Sequence, residues 1–270
     1  MLDAIKLPQP ARNPFTWVAV LVLAAIAWIP TVQHSLMMAM HGAIVMRLWP
    51  LDMFWMSMIA WTVMMTAMML PGLAPIASVE YEAIRQQKPG LPAIIHIAFF
   101  VIAYLIMWGI FGIPVYLLAL LAQQFAQSMP TVGLIVGVAF LVLLGIYQFL
   151  PLERRCLGHC NPALGKHTST HSSPTIPGSI KEGVVHSLYC VGSCGPLMLM
   201  MIAVGVMSLP WMIIVTVLIF LEKTWKFGDR LSFAIGIALI LFAVVAIFNP
   251  AMMPGFYMPQ QATPPMHHGM

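Results

Sequence analysis

Seven apolar stretches separated by short polar segments dominate the hydropathy pattern of this chain. They cover approximately residues 15–33, 53–75, 93–122, 131–150, 184–207, 211–227 and 231–248. A bilayer core about 30 Å thick requires about 20 apolar residues per helix, so each stretch is long enough, or nearly long enough, to cross a membrane. We therefore predict an all-α fold, a polytopic transmembrane helical bundle of about seven spans.

The fifth stretch differs from the others because Gly192, Gly195 and Pro196 interrupt it. A re-entrant or broken helix is the alternative there, since such backbone is tolerated where protein shields it from lipid. The basic residues favour seven full crossings. With seven spans, all 12 Lys and Arg residues except Arg47 lie on one side, and this side is the cytoplasmic one by the positive-inside rule.

This topology divides the chain into three parts. Residues 1–14 form a cytoplasmic N-terminus, and residues 15–248 form the transmembrane helical domain. Residues 249–270 form an extracytoplasmic tail rich in Met, His and Pro. The tail has no charged residue, and we expect it to be disordered unless a metal or a partner holds it.

Composition supports the membrane assignment and excludes several functions. The chain is 61% hydrophobic and only 7% charged, with a mean hydropathy of +0.92, whereas soluble domains carry about 25% charged residues. The partner predicted for the net charge of +4 is therefore the lipid bilayer and not nucleic acid. No phosphate-binding loop and no Ser/His/Asp arrangement occurs in the sequence, so we do not predict an enzyme.

The four cysteines form two Cys-x-x-x-Cys pairs, Cys156 with Cys160 and Cys190 with Cys194. On a helix, residues four apart share a face, so each pair would present two sulfurs together. The predicted cytoplasmic location keeps thiols reduced, which favours thiolate metal ligands or inert packed thiols over disulfides. The same cytoplasmic location argues against a further candidate function, a thiol–disulfide oxidoreductase of the membrane.

Methionine and histidine supply further soft ligands. Most of the 24 methionines are expected to fill gaps between apolar helices, but thioether sulfur also suits Cu(I). The side chains that we consider candidate ligands are Met64, Met65, Met68 and Met69 in the second stretch, His34 and His41 in the outer loop, and His159 between the first two cysteines. Glu222 and Lys223 are interpreted as interfacial anchors at the end of the sixth stretch.

The order of these motifs resembles a known family. The residues that carry the resemblance are Trp61, Met64, Ala67, Met68, Met69 and Pro71; Arg155, Cys156, Leu157, Cys160 and Pro162; Tyr189, Cys190, Gly192, Cys194, Leu197 and Met198; Gly205, Val206 and Met207; and Glu222 and Lys223. Over about residues 53–248 the chain resembles the predicted metal-binding integral membrane proteins, a bacterial family sometimes labelled copper chaperone. The resemblance implies metal binding and location in the bacterial inner membrane.

Two functions remain open at this point. The first is a copper-handling membrane protein that binds Cu(I) through Cys, Met and His and delivers it to an extracytoplasmic or membrane cuproenzyme. The second is an accessory or structural subunit of a larger membrane oxidase or monooxygenase complex. Copper is the metal that the ligand types favour, and zinc is possible.

The topology is testable with reporter fusions. A fusion at residue 10 should report a cytoplasmic location and a fusion at residue 265 an external one, because the basic residues collect on the cytoplasmic side. Reporters active on the same side of the membrane would contradict seven spans.

Overall fold

The computed structural model describes residues 14–41, 51–161 and 175–257, without the side chains of residues 38–41 and 51–53. In these parts of the chain the regular structure is helical and no strand occurs. The helices are α1 (Pro14–His41), α2 (Leu51–Gln87), α3 (Leu91–Ser128), α4 (Pro130–Tyr147), α5 (Pro151–Cys160), α6 (Ile176–Val204), α7 (Leu209–Thr224) and α8 (Gly228–Phe248). The predicted all-α fold is confirmed.

The described helices that are long and apolar enough to cross a membrane are α1, α2, α3, α4, α6 and α8. They agree with six of the seven predicted stretches and indicate a membrane protein. The predicted stretch 211–227 instead forms α7, which has 16 residues. At a rise of 1.5 Å per residue α7 is about 24 Å long, somewhat shorter than a bilayer core.

Helices α2 and α6 form the centre of the bundle. In their most apolar segments 67% of α2 and 72% of α6 is buried within the protein, compared with 28% for α1, α3 and α4 and 33% for α8. The outer helices therefore expose apolar side chains along much of their length. In lipid this exposure carries no hydrophobic penalty, because acyl chains are as apolar as the side chains themselves.

Helix α6 is continuous through Gly192, Gly195 and Pro196, so the structure has a 29-residue helix where a broken one was the alternative. Its first turn is capped by Thr175, whose hydroxyl accepts a hydrogen bond from the Gly178 N–H at 3.2 Å. Gly192 allows a close helix contact, since a Cβ there would lie 2.6 Å from Cys156 Sγ.

Helix α5 forms within the polar connection that was predicted between the fourth and fifth stretches. Pro151 occupies its first turn, where the missing N–H costs no hydrogen bond. At its end, the buried Asn161 side chain donates to the carbonyl oxygens of Glu222 at 2.8 Å and Trp225 at 3.0 Å. These two bonds hold the end of α5 on the end of α7.

The beginning of the predicted tail is ordered against the bundle. Met253 and Phe256 are buried and pack on α4 at Gly137. The Gly255 N–H donates to the Ala203 carbonyl oxygen at 3.1 Å. The expected disorder is therefore wrong for residues 249–257, because apolar contacts hold them, and residues 258–270 lie outside the described ranges.

The contact between α2 and α3 can be tested at Gly112. Trp61 Nε1 donates to the Trp108 carbonyl oxygen at 3.0 Å, and a Cβ at Gly112 would lie 2.7 Å from that nitrogen. Gly112→Ala should displace the indole and lower the free energy of unfolding by about 1–3 kcal/mol, measured by thermal unfolding in detergent. Gly195→Ala is the control, because the nearest atom to its new Cβ lies 3.8 Å away, and equal losses in the two variants would contradict the prediction.

Candidate metal centre

Three cysteines meet around the sulfur of Cys190, where α5 and α6 pack together. The thiols of Cys160 and Cys194 lie near that of Cys190. All three side chains are fully buried. Tyr104 Oη of α3 lies 3.0 Å from Cys190 Sγ, within hydrogen-bonding distance. The structure therefore joins one cysteine from the first pair with both cysteines of the second.

Ser193 connects the outer members of this cysteine cluster, defined as Cys160, Cys190 and Cys194. Its hydroxyl lies 3.9 Å from Cys160 Sγ and 3.6 Å from Cys194 Sγ. It also donates to the Cys190 carbonyl oxygen at 3.2 Å. The serine thus lies between two sulfurs and supports their arrangement from a buried position.

A buried lysine completes the cluster. Lys223 Nζ donates to Cys190 Sγ at 2.8 Å, and the exposure of the lysine side chain is 0%. Its stem crosses α2 at Gly72, where a Cβ would lie 3.0 Å from Lys223 Cδ. The interpretation of Glu222 and Lys223 as interfacial anchors is wrong, since both side chains are fully buried among the helices.

Cys156 lies apart from the cysteine cluster. Its sulfur packs against Gly192 and lies near the Tyr147 hydroxyl and the Glu153 carboxyl. Burial raises the pKa of the Cys156 thiol above its ordinary value. The two predicted pairs are therefore adjacent, but the described contacts place only Cys160 from the first pair on Cys190.

Histidine contributes to the surroundings of the cluster. His186, one helical turn before Cys190, is 2% exposed and lies with its ring 5.9 Å from that of Tyr104. It is close enough to act electrostatically on Cys190. The predicted ligand His159 instead stacks on Tyr189 at 4.0 Å, with its ring centre 6.4 Å from that of His186.

The four predicted thioether ligands of α2 are all buried. Met64 is 1% exposed, and Met65, Met68 and Met69 are 0% exposed. They belong to the same continuous core as the cysteine cluster and as Met198 and Met201 of α6. Thioethers and thiols therefore form one buried, sulfur-rich interior. Such an interior agrees both with methionine as a packing residue and with sulfur as a metal ligand.

His34 lies away from the cysteines. It is half-buried and lines a cavity together with Met64. The side chain of the other predicted outer ligand, His41, falls outside the described side chains.

The thiols of the cysteine cluster are ligands of the type that soft metal ions prefer. They are not arranged as a complete metal site with three or more ligands in place. Among the described residues no group of three or more His, Cys, Asp or Glu side chains is placed to hold a metal ion. A structural zinc site needs four ligands in tetrahedral geometry, and the described residues give zinc no support. Two thiolates suffice for Cu(I), which prefers soft sulfur ligands.

Tyr104, His186, Ser193 and Lys223 are the residues of this centre that sequence reasoning did not select. A signal existed for Lys223, because a charged pair within an otherwise apolar stretch belongs to the motifs that carry the family resemblance. Tyr104 and Ser193 carry no such signal, since single hydroxyl-bearing residues are common in apolar helices.

Glu153 gives the stability of this region a pH dependence. Burial raises the pKa of its carboxyl to about 7, with a contribution from the Asp229 carboxylate, while the Arg154 guanidinium acts in the opposite direction. Between the ordinary pKa of a glutamate and pH 7, the folded chain therefore binds more protons than the unfolded chain. Its stability falls as the pH rises through this window.

Glu153→Gln should raise the free energy of unfolding at pH 8 by up to about 3 kcal/mol relative to the native chain. At low pH, where the native carboxyl is protonated, the difference should disappear. Unfolding in detergent across pH 4–8 measures it, and parallel pH profiles of the two chains would contradict it.

Comparison with known proteins identifies the family. No curated protein and no solved structure matches the chain significantly. A protein-family model described as PpoB2, copper chaperone, matches residues 58–246. This range contains all four cysteines, the four candidate methionines of α2 and Lys223, and it agrees with the family resemblance of the sequence motifs. The chain belongs to this copper chaperone family.

Proposed function

We propose that this protein is a multi-pass protein of the bacterial inner membrane that binds Cu(I) at the cysteine cluster and passes it to a copper-requiring acceptor. The observation that carries the proposal is the gathering of three buried cysteines in the interior of the bundle. Lys223 donates to Cys190 Sγ, and the hydroxyl of Ser193 lies between the sulfurs of Cys160 and Cys194. Membership of the copper chaperone family supports the choice of metal.

Lys223 gives the site its charge balance. The thiolate is the form of cysteine that binds metals, and the ammonium donating to Cys190 Sγ stabilises it. A Cu(I) ion held by two thiolates has a net charge of −1. The buried ammonium neutralises this charge, which matters because an unpaired charge in an apolar interior is costly.

The α2 methionines provide the next ligands. Met64 and Met68 share one helix face, and Met65 and Met69 share the adjacent one. Thioethers are neutral, so they can line a buried path without the cost of additional charge. Copper would move along them by ligand exchange. The path leads from the cysteine cluster, which lies near Gly72, towards the N-terminal end of α2.

The predicted topology gives the movement a direction. With the N-terminus in the cytoplasm, the cysteines lie near the cytoplasmic face, where thiols stay reduced. The other end of the path faces outward, where Met and His retain copper affinity. The acceptor is then an extracytoplasmic or membrane cuproenzyme.

Single cysteine substitutions test the site. Cys160→Ser, Cys190→Ser and Cys194→Ser should each weaken Cu(I) binding by at least about tenfold. Double substitutions among them should add little, because residues that act as a unit are not additive. Competition with a chromogenic Cu(I) chelator under reducing conditions measures the affinity of the full chain in detergent.

Cys156→Ser is the matched control. This thiol is buried on α5, as Cys160 is, but it lies against Gly192 and not at Cys190. It should change Cu(I) affinity by less than about threefold. Native Cu(I) affinity in the three cluster variants would overturn the proposal. Stable copurification of these variants with a membrane oxidase would favour an accessory subunit instead.

A further inference from the structure

A cavity lies at the end of the bundle away from the cysteine cluster. Its volume is about 470 Å³, and its walls come from α1, α2, α3 and the turn between α6 and α7. The residues that line it are Pro30, Thr31, His34, Met56, Ser57, Met58, Ile59, Ala60, Trp61, Val63, Met64, Gly112, Val115, Tyr116, Ala119, Leu120, Gln123, Val206 and Met207. None of these side chains is an acid, a lysine or an arginine.

The wall of this cavity carries an unusual set of soft donors. Met56, Met58, Met64 and Met207 bring thioethers from two separate parts of the chain, and Met56 is largely exposed. His34 Nδ1 is buried and has no hydrogen-bond partner among the described residues. An unsatisfied buried nitrogen is costly, so such an atom in a native structure requires an explanation.

Two hydroxyl groups next to His34 in α1 already have hydrogen-bond partners. The Thr31 hydroxyl donates to the Ala27 carbonyl oxygen at 2.7 Å. The Ser35 hydroxyl donates to the Met207 carbonyl oxygen at 2.6 Å, which holds α1 on the turn that carries Met207. The Ser35 bond therefore fixes this part of the cavity wall, and His34 Nδ1 has no hydrogen-bond partner among the described residues.

We propose that this cavity is a second Cu(I) site, with His34 and Met64 as its central ligands and Met58 and Met207 completing the set. The inference rests on the proposed function, which it deepens by giving the copper a separate place from which to leave. Imidazole and thioether are both neutral ligands, and together they select Cu(I) over hard cations and over zinc.

Met64 links the two ends of the path. It lines the cavity and also belongs to the buried core that contains the cysteine cluster. Gly72, where the Lys223 stem crosses α2, lies eight positions further along the helix, which corresponds to about 12 Å. Met65, Met68 and Met69 occupy this interval. A ligand set without thiolate binds Cu(I) more weakly than the cysteine cluster, as release to an acceptor requires.

Titration with Ag(I), a redox-inert analogue of Cu(I), tests the second site in the full chain in detergent. The native protein should bind two equivalents, a tighter one at the cysteines and a weaker one in the cavity. His34→Gln and Met64→Leu should each weaken the second equivalent by at least about tenfold, since even the loss of a group that only supports a metal ligand costs 10–100-fold. The first equivalent should keep its affinity.

Two control variants separate ligand loss from a change of cavity shape. Thr31→Val alters the same wall, but the hydroxyl that it removes is bonded to the backbone. Met253→Leu alters a buried methionine that packs at Gly137, outside the cavity. Both should retain two equivalents and the unfolding temperature of the native chain.

Replacing Cys160, Cys190 and Cys194 together by Ser removes the thiols of the cysteine cluster and keeps the residues that line the cavity. Copper X-ray absorption of this variant loaded with Cu(I) should show nitrogen and thioether sulfur neighbours, and the nitrogen should be lost when His34→Gln is added. The inference is overturned if His34→Gln and Met64→Leu leave the second Ag(I) equivalent unchanged, or if the triple-serine variant keeps the unfolding temperature of the native chain and yet binds no Cu(I). Persistence of the first equivalent in the triple-serine variant would instead overturn the cysteine site and leave the cavity site standing.

Discussion

The burial of the Lys223 ammonium is the constraint on which the rest of this structure depends. Moving a charge from water into an apolar interior costs several kcal/mol unless a partner of good geometry compensates. The partner is the sulfur of Cys190, 2.8 Å from Nζ. This contact fixes α7 against α6, and the aliphatic stem of the lysine fixes α7 against α2 at Gly72, where the missing side chain leaves room for it. Tyr104 of α3 approaches the same sulfur, so α3, α6 and α7 meet at this atom and α2 packs on the lysine stem beside it.

The distribution of soft ligands along the bundle follows from this arrangement. Thiols surround the buried cation, where a negative charge is stabilised, and neutral thioethers occupy the interior between them and the cavity. The proposed path therefore begins in ligands that hold Cu(I) strongly and ends in ligands that hold it weakly. A chaperone of the family to which this chain belongs needs both, because it must retain its cargo against loss and yet surrender it to an acceptor.

The division of labour among the helices has the same physical origin. α2 and α6 carry most of the candidate sulfur ligands and are about two-thirds or more buried, whereas only about a third or less of α1, α3, α4 and α8 is buried. The outer helices isolate the centre from lipid and water. This isolation keeps the local dielectric low, so that electrostatic contacts such as the Lys223–Cys190 pair remain strong. Small residues allow the close contacts, as Gly112 does for Trp61 and Gly192 for Cys156.

The sequence by itself determined the elements and the kind of chemistry. Hydropathy is a local property, so the apolar stretches predicted most of the long helices, and the family motifs identified the metal-binding class. Helical spacing placed Cys190 with Cys194 and Met64 with Met68 on shared faces. Only the tertiary structure decided that Lys223 meets Cys190 across 33 positions of sequence, that Cys156 lies apart from the cysteine cluster, and that His34 shares a cavity with Met64. The physical reason is that helices of nearly uniform apolarity offer many ways to pack, and hydropathy does not distinguish among them. The choice is made by a few long-range contacts between polar groups and by the positions where glycine allows helices to approach.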